Sequence, residues 1–308
     1  MDAPSQIVLS PALEVAGFLL IGASVAVWWL VAIRLFRRLP VLPHEPRRRV
    51  PWRAADVLLV FVLFELPLLI GLPLSFLFGL GFAGGAGVQP GEKAGVEHPI
   101  VDLLKADPSL ATWLLCALVA VVVAPVVEEF MYRLLLQGWL EAEERGARRR
   151  IALLGRLAPG VGPVLAVSLL FALRHVRWAS PPADPGALRQ LMVFQAVWSP
   201  LALVAALGVL RIRSGATPAD LGFVREKFFG DVRLGLLAFA AVGAPIIAMQ
   251  YLVTTYVLPN HVAADPIPLF VFAAVLGTVY YRTHRIMPSV VIHMALNATS
   301  LALAWFLL

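Results

Sequence analysis

Six polar side chains lie inside long apolar runs of this chain and could do chemistry there: Glu128, Glu129, Arg133, His175, His293 and Asn297. Ionisable groups in such a setting are costly to bury and are usually functional. Glu129 and Arg133 stand four positions apart with the glutamate first, an order that favours an ion pair along a helix. Glu128 is rotated by about 100° from Glu129 on the same helix. The spacing therefore predicts that Glu129 is neutralised and that Glu128 is free for catalysis.

The histidines and the amide complete a set that is suited to activating water. A carboxylate beside a neutral imidazole can act as a general base, and a side-chain amide can donate to a developing oxyanion. His293 and Asn297 are four positions apart and therefore share one face of a helix. Neither Ser168 nor Cys116 is spaced to serve as a nucleophile. The set favours hydrolysis of a peptide bond by water.

A zinc site is the alternative chemistry for the same residues. Glu128, His175 and His293 could ligate Zn²⁺ and leave a fourth position open for water. The HExxH spacing of many zinc peptidases is absent from the sequence. Asn297 shares a face with His293, and an amide there suits hydrogen bonding better than metal ligation. We therefore favour a reaction without a cofactor and keep Zn²⁺ as the alternative.

The composition is that of a membrane protein. Of the 308 residues, 60% are hydrophobic and 14% are charged, whereas soluble domains have about 25% charged residues. The formal net charge of +6 marks the orientation of loops in such a protein and does not indicate a nucleic-acid partner. The single cysteine, Cys116, excludes a disulfide framework and a cysteine-based zinc site.

Eight apolar segments predict the elements that must position these residues. They run roughly over residues 11–33, 54–82, 109–140, 158–175, 187–210, 234–257, 267–281 and 287–307. Most reach the roughly 20 residues that a membrane-spanning helix needs. The expected fold is all-α: a polytopic membrane protein with about eight transmembrane helices around an intramembrane polar cavity.

The basic residues supply an independent check on the topology. Nineteen of the 25 lysines and arginines fall in four alternate loops: 34–53, 141–157, 211–233 and 282–286. Cytoplasmic loops carry such an excess of positive charge. Eight spans then place both the N-terminus and the C-terminus outside the cytoplasm.

The polar residues can meet near the middle of the membrane. A single histidine or asparagine between transmembrane helices is most often a hydrogen-bonding contact that holds the helices together. The six polar residues together, with two carboxylates and an arginine, require a functional reason. Glu65, inside the second segment, is also intramembrane. We favour a structural role for Glu65, and the lining of an access cavity is the second interpretation.

Three motifs carry a resemblance to a known family. Glu-Glu-x-x-x-Arg at 128–133, Phe-x-x-x-His at 171–175 and His-x-x-x-Asn at 293–297 occur in this order on separate segments. Together they resemble the CAAX protease and bacteriocin-processing (CPBP) family of intramembrane endopeptidases, which includes the Ras-converting CAAX endopeptidases.

The resemblance covers roughly 95–178 and 265–300. The interval 179–264 looks longer than the compact bacterial pattern and holds two extra spans. We interpret the whole chain, 1–308, as a single integral-membrane protease domain.

The resemblance implies a role for each motif residue. Glu128 would be the catalytic base and His175 would share in activating the water. His293 and Asn297 would complete the water and oxyanion site, and the Glu129–Arg133 pair would support it. The substrate would be a membrane-associated or prenylated, CAAX-like peptide or protein in the bilayer.

Other function classes stay open on the sequence alone. The chain could be a non-proteolytic bacteriocin-immunity or scaffold protein that kept the motifs. A proton-coupled transporter is a weaker alternative, because intramembrane Glu and His also form proton relays. No paired broken helices or internal repeats favour a transporter. We predict an endopeptidase of the bacterial inner membrane that has no nucleic-acid partner.

Overall fold

The computed structural model describes residues 11–45, 49–78, 99–151, 156–176, 184–258 and 265–307. The regular structure of these residues is helical, and no strand occurs among them. The helices are α1 (Pro11–Phe36), α2 (Ala54–Phe78), α3 (Pro99–Ala106), α4 (residues 110–150), α5 (Val161–Arg174), α6 (Pro185–Ser214), α7 (Phe228–Leu252), α8 (Pro266–Thr283) and α9 (Ile286–Leu307). The prediction of an all-α fold is confirmed for this part of the chain.

Each of the eight predicted apolar segments coincides with a helix, but not every helix is an evident membrane span. Six helices of the described residues are long and apolar enough to cross a membrane: Glu14–Phe36, Leu110–Arg148, Pro185–Ser214, Arg225–Val257, Pro266–Thr283 and Ile286–Phe306. Helix α5 is apolar but has only 14 residues. The count of eight spans and the orientation of the two termini therefore stay predictions.

Helix α4 is the central element of the bundle. It packs against α5, α6, α8 and α9, while α7 lies against α9 and α1 lies on the outside of α7. Helix α2 packs mainly on α6. Large apolar side chains such as Phe18 and Trp29 on α1 are exposed, as expected for a surface that faces lipid. Glu129, Arg133 and Gln137 of α4, in contrast, are fully buried.

A proline inside α7 explains how α1 is attached to it. Pro245 has no N–H, so the carbonyl of Ala241, four positions earlier, lacks its helical donor. Ser24 Oγ and Trp28 Nε1 of α1 both donate to this carbonyl, at 3.1 and 2.9 Å. A freed backbone acceptor in an apolar bundle must be satisfied by a neighbouring element. This contact ties the first helix to the core.

A charged cluster at one end of the bundle anchors the connection between α1 and α2. The Glu45 carboxylate accepts from Lys227 Nζ at 2.6 Å and contacts the Arg285 guanidinium, which also pairs with Asp231 at 2.6 Å. Burial alone would raise the pKa of Glu45. The hydrogen bond from Lys227 and the charge of Arg285 outweigh burial, so the pKa lies below its usual value. The cluster holds this connection to the turn between α8 and α9.

The close contact between α7 and α9 gives a test of the packing. A Cβ added at Gly235 would lie 2.6 Å from Val291 Cβ and 2.9 Å from the Pro288 carbonyl oxygen. We expect Gly235→Ala to force α7 away from α9 and to cost about 1–3 kcal/mol. The thermal unfolding midpoint of the purified protein in detergent measures this loss.

Gly230→Ala on the same helix is the matched control, because nothing lies within 4 Å of a Cβ at that position. Alanine there removes a flexible glycine from a helix and should leave the midpoint unchanged or slightly higher. Equal effects of the two substitutions would contradict the tight α7–α9 contact.

Candidate active site

Helix α4 is deformed on both sides of Glu128. Residues Leu118–Val123 and Glu129–Gln137 form π-helical turns, and Ala124–Glu128 between them is α-helical. Such widened turns are rare and frequently occur at functional sites. Pro125 explains the first one, because its ring would clash with the carbonyl of residue 121 in a regular α-helix.

The same deformation positions Asn297. The Ala124 N–H donates to the Val119 carbonyl, five positions earlier. The next residue, Pro125, has no N–H, so the Ala120 carbonyl is left without a donor from either position of its own helix. Asn297 Nδ2 on α9 donates to this carbonyl at 2.7 Å. One N–H of the amide thus fixes α9 to the helix that carries Glu128.

Glu129 is contacted from two helices, not from one. Its side chain is fully buried, with Oε2 3.3 Å from Arg133 Nε and Oε1 2.9 Å from His293 Nδ1. The predicted Glu129–Arg133 ion pair is present. The contact between Glu129 and His293 joins α4 to α9 and was not predicted, because it connects residues 164 positions apart.

His293 lies between the two glutamates. Its Nε2 is 3.7 Å from Glu128 Oε2. A carboxylate only accepts, so Nδ1 donates to Glu129, and in the neutral imidazole Nε2 is then an acceptor. The Glu128 side chain is 29% exposed, whereas that of Glu129 is 0% exposed. The structure therefore separates a buried, paired glutamate from an accessible one with an imidazole nitrogen beside it.

Phe171 is the apolar centre of the site. It is fully buried, and its ring centroid lies 4.5 Å from that of His175, 5.9 Å from that of His293 and 5.3 Å from that of Tyr132. The Arg133 guanidinium carbon lies 5.4 Å from the same centroid. No acceptor among the described residues hydrogen-bonds this guanidinium. The ring face supplies part of the compensation for its charge.

His175 joins the site through Phe171. It follows the last residue of α5, and its Nδ1 lies 2.7 Å from the Phe171 carbonyl oxygen. Since a carbonyl only accepts, Nδ1 carries the proton in the neutral ring and Nε2 is left as an acceptor. Both histidines thus have one nitrogen held by the protein and the other available for a ligand.

A cavity of about 1140 Å³ opens beside Glu128, between α2, α4 and α6. Its lining is mostly apolar and includes Phe64 of α2 and Trp198 of α6. The Trp198 indole N–H donates to the Phe64 carbonyl at 3.4 Å, which links these two walls. The cavity can admit an extended peptide with apolar side chains next to the accessible glutamate.

A second Glu–Arg pair lies in the same cavity. Arg174 Nη2, at the end of α5, is 2.8 Å from Glu65 Oε1 of α2. Both residues line the cavity together with Glu128. Glu65 thus has the ionic partner that a structural role implies, and it also lines the cavity. The sequence gives no local signal for this pair, because the two residues are far apart in the chain.

The three candidate zinc ligands do not form a metal site in this conformation. Among the described residues, no group of three or more His, Cys, Asp or Glu side chains is arranged to hold a metal ion. His293 Nδ1 faces Glu129 and His175 Nδ1 faces a backbone carbonyl. The accessible Glu128 carboxylate and the Nε2 atoms of the two histidines are the groups that these contacts leave for a ligand or for acid–base chemistry.

These features define a helical integral membrane protein with an intramembrane Glu–His site beside an apolar cavity. The chain matches the family model described as type II CAAX prenyl endopeptidase Rce1-like, over residues 110–219 and 222–299. It belongs to this family. The match contains all three motifs and also α6 and α7, which the motif resemblance did not cover. No curated protein and no solved structure matches the chain.

Removing Arg133 should destabilise the protein strongly. Arg133→Leu leaves the fully buried Glu129 with a hydrogen bond from His293 but without its cationic partner, and breaking a buried pair in this way costs about 3–5 kcal/mol. The thermal midpoint and the yield of monodisperse protein in detergent measure the effect.

Arg148→Leu is the matched control on the same helix. It removes an ion pair of the same spacing, Glu144–Arg148, but the Arg148 side chain is 22% exposed and Glu144 still accepts from the Gly160 N–H. We expect a much smaller loss of stability. A native midpoint for Arg133→Leu would show that Glu129 does not depend on the arginine.

Asn297 and Pro125 should be coupled in stability. Asn297→Leu leaves the Ala120 carbonyl unsatisfied, at a cost of about 1–3 kcal/mol. Pro125→Ala supplies a backbone N–H that can bond to this carbonyl instead. The double variant should therefore lose less stability than the sum of the two single variants. Strict additivity in a double-mutant cycle would contradict the proposed link between the proline and the asparagine.

Proposed function

We propose that this protein is an intramembrane endopeptidase in which Glu128 activates water for hydrolysis of a peptide bond. The observation that carries the proposal is the position of His293, held by Glu129 through Nδ1 and presenting Nε2 to Glu128. This arrangement places an oriented imidazole beside an accessible carboxylate that lines an apolar cavity. The membership of the family supports the same activity.

The proposed reaction begins with a water bound between Glu128 and His293 Nε2. Glu128 takes one proton from this water as a general base, and the hydroxide oxygen bonds to the carbonyl carbon of the substrate. The second N–H of Asn297 donates to the oxyanion, while the remaining O–H of the water is shared between His293 Nε2 and His175 Nε2, which orient it. Glu128 then delivers its proton to the amide nitrogen as the C–N bond breaks.

The proposed substrate is a peptide or protein that lies in or at the membrane. The family description names CAAX prenyl substrates, and a CAAX sequence carries its prenylated cysteine at the C-terminus of a protein. The apolar lining of the cavity suits such a lipidated segment. We propose that the enzyme resides in a bacterial inner membrane.

Glu128→Gln should abolish cleavage and leave the protein folded. Glutamine keeps the shape of the side chain but cannot take a proton from water. Cleavage of a fluorogenic peptide with a farnesylated cysteine near its C-terminus, by purified protein in detergent, measures the activity. Glu143→Gln is the control, because this glutamate is exposed on α4 and away from the cavity. Full activity of Glu128→Gln would exclude the proposed role.

The reaction should not require a metal ion. No three potential ligands are arranged for zinc among the described residues, and the proposed steps use only protein groups and water. We expect activity to survive exhaustive chelation and elemental analysis to find no stoichiometric zinc. Stoichiometric zinc, with activity lost on chelation and restored by zinc, would replace this mechanism with a metal-dependent one at the same residues.

A further inference from the structure

The Glu65–Arg174 pair is accessible from the cavity. The Arg174 side chain is 60% exposed and that of Glu65 is 31% exposed, and ion pairs exposed to this degree add little to stability. Glu65 nevertheless interrupts the apolar run of α2, where an ionisable residue is costly. A pair of this kind, at the wall of a cavity that also contains Glu128, is placed to meet a ligand that enters.

Arg174 is the cation that faces this cavity. Among the described lining residues it is the one with a positive charge, and the two other charged residues are Glu65 and Glu128. Arg133 is fully buried in its contacts with Glu129 and Phe171 and is not exposed to the cavity. A guanidinium binds carboxylates and phosphates through two parallel hydrogen bonds. The geometry therefore points to an anionic group on the molecule that enters.

A peptide cut close to its C-terminus carries such a group at a fixed distance from the scissile bond. In a CAAX sequence three residues follow the cysteine, and the chain ends in a free carboxylate. Three extended residues span at most about 10–11 Å, which fits inside a cavity of about 1140 Å³. Arg174 is also the residue directly before His175, so the anion would lie at the edge of the catalytic site.

We propose that Arg174 is a specificity-determining residue that binds the free C-terminal carboxylate of the peptide substrate. In the absence of substrate, Arg174 pairs with the Glu65 carboxylate. When the substrate binds, its C-terminal carboxylate replaces Glu65 at the guanidinium. The exchange conserves charge, because one carboxylate replaces another at the same guanidinium. This inference rests on the proposed endopeptidase function and adds to it a means of selecting a chain end.

A binding experiment tests the proposal without depending on turnover. The probe is a short fluorescent peptide with a farnesylated cysteine fourth from its C-terminus, prepared as the free acid and as the C-terminal amide. Binding to the Glu128→Gln protein in detergent is followed by fluorescence anisotropy. We expect the acid to bind about tenfold more tightly than the amide, which corresponds to a difference in binding free energy of about 1.4 kcal/mol. Arg174→Gln in this background should weaken binding of the acid to the level of the amide.

Three further variants make the outcome specific. Arg189→Gln is the matched control, because Arg189 is 52% exposed and pairs with Asp107 but does not line the cavity, and it should keep the preference for the acid. Arg174→Lys retains the charge without the forked geometry and should keep part of the preference for the acid. Glu65→Gln removes the competing carboxylate and should keep or increase the preference for the acid. Equal binding of acid and amide would overturn the proposal and would leave a lipid phosphate as the anion that Arg174 could bind. A preference for the acid that survives Arg174→Gln would also overturn it.

Cleavage by the native protein separates the two proposals. If both peptides are cleaved with equal kcat/KM and bind equally, the carboxylate site is wrong and the endopeptidase function stands. If neither peptide is cleaved but the acid binds in preference through Arg174, the carboxylate site stands and the assigned catalytic activity is wrong.

Discussion

The burial of the Glu129 carboxylate is the constraint on which the rest of the site depends. An ionised carboxylate inside an apolar bundle must be compensated by charge or hydrogen bonds. Arg133 approaches one oxygen from the same helix, and His293 approaches the other from α9. Because His293 is held through Nδ1, its Nε2 is directed towards Glu128. Glu129 has no proposed part in bond breaking, but it orients the His293 imidazole, which takes part in the proposed reaction.

Two prolines determine a second set of contacts, because a buried backbone carbonyl that loses its helical donor needs another hydrogen-bond partner. Pro125 frees the carbonyl of Ala120, which Asn297 of α9 satisfies, and Pro245 frees a carbonyl of α7 that α1 satisfies. In an apolar bundle each freed acceptor needs a donor from a neighbouring helix. The first of these contacts and the Glu129–His293 contact lie on either side of Glu128, so α4 and α9 are fixed to each other at two levels.

Local spacing made part of this site predictable from the sequence. The Glu129–Arg133 pair follows from positions four apart, and the helices follow from apolar runs, of which six among the described residues are long and apolar enough to be evident spans. Contacts between distant residues had no such signal, among them Glu129 with His293 and Arg174 with Glu65. Phe171 belongs to the Phe-x-x-x-His motif, but its contacts with Tyr132, Arg133 and His293 had no signal in the sequence, because they join different helices. Pro125 was the one visible sign of the deformed helix.

Two of the Glu–Arg pairs, Glu129–Arg133 and Glu65–Arg174, illustrate opposite uses of the same interaction. Glu129 and Arg133 are both fully buried, so removing either partner leaves an uncompensated charge, and the pair is suited to fixing geometry. Glu65 and Arg174 are partly exposed in the cavity, where water reduces the cost of separating them, and the pair is suited to exchange. The two proposals then place different demands on the two pairs. The contact between α4 and α9 must be rigid to orient Glu128, whereas the Glu65–Arg174 pair must separate when the substrate carboxylate binds and form again after the product leaves.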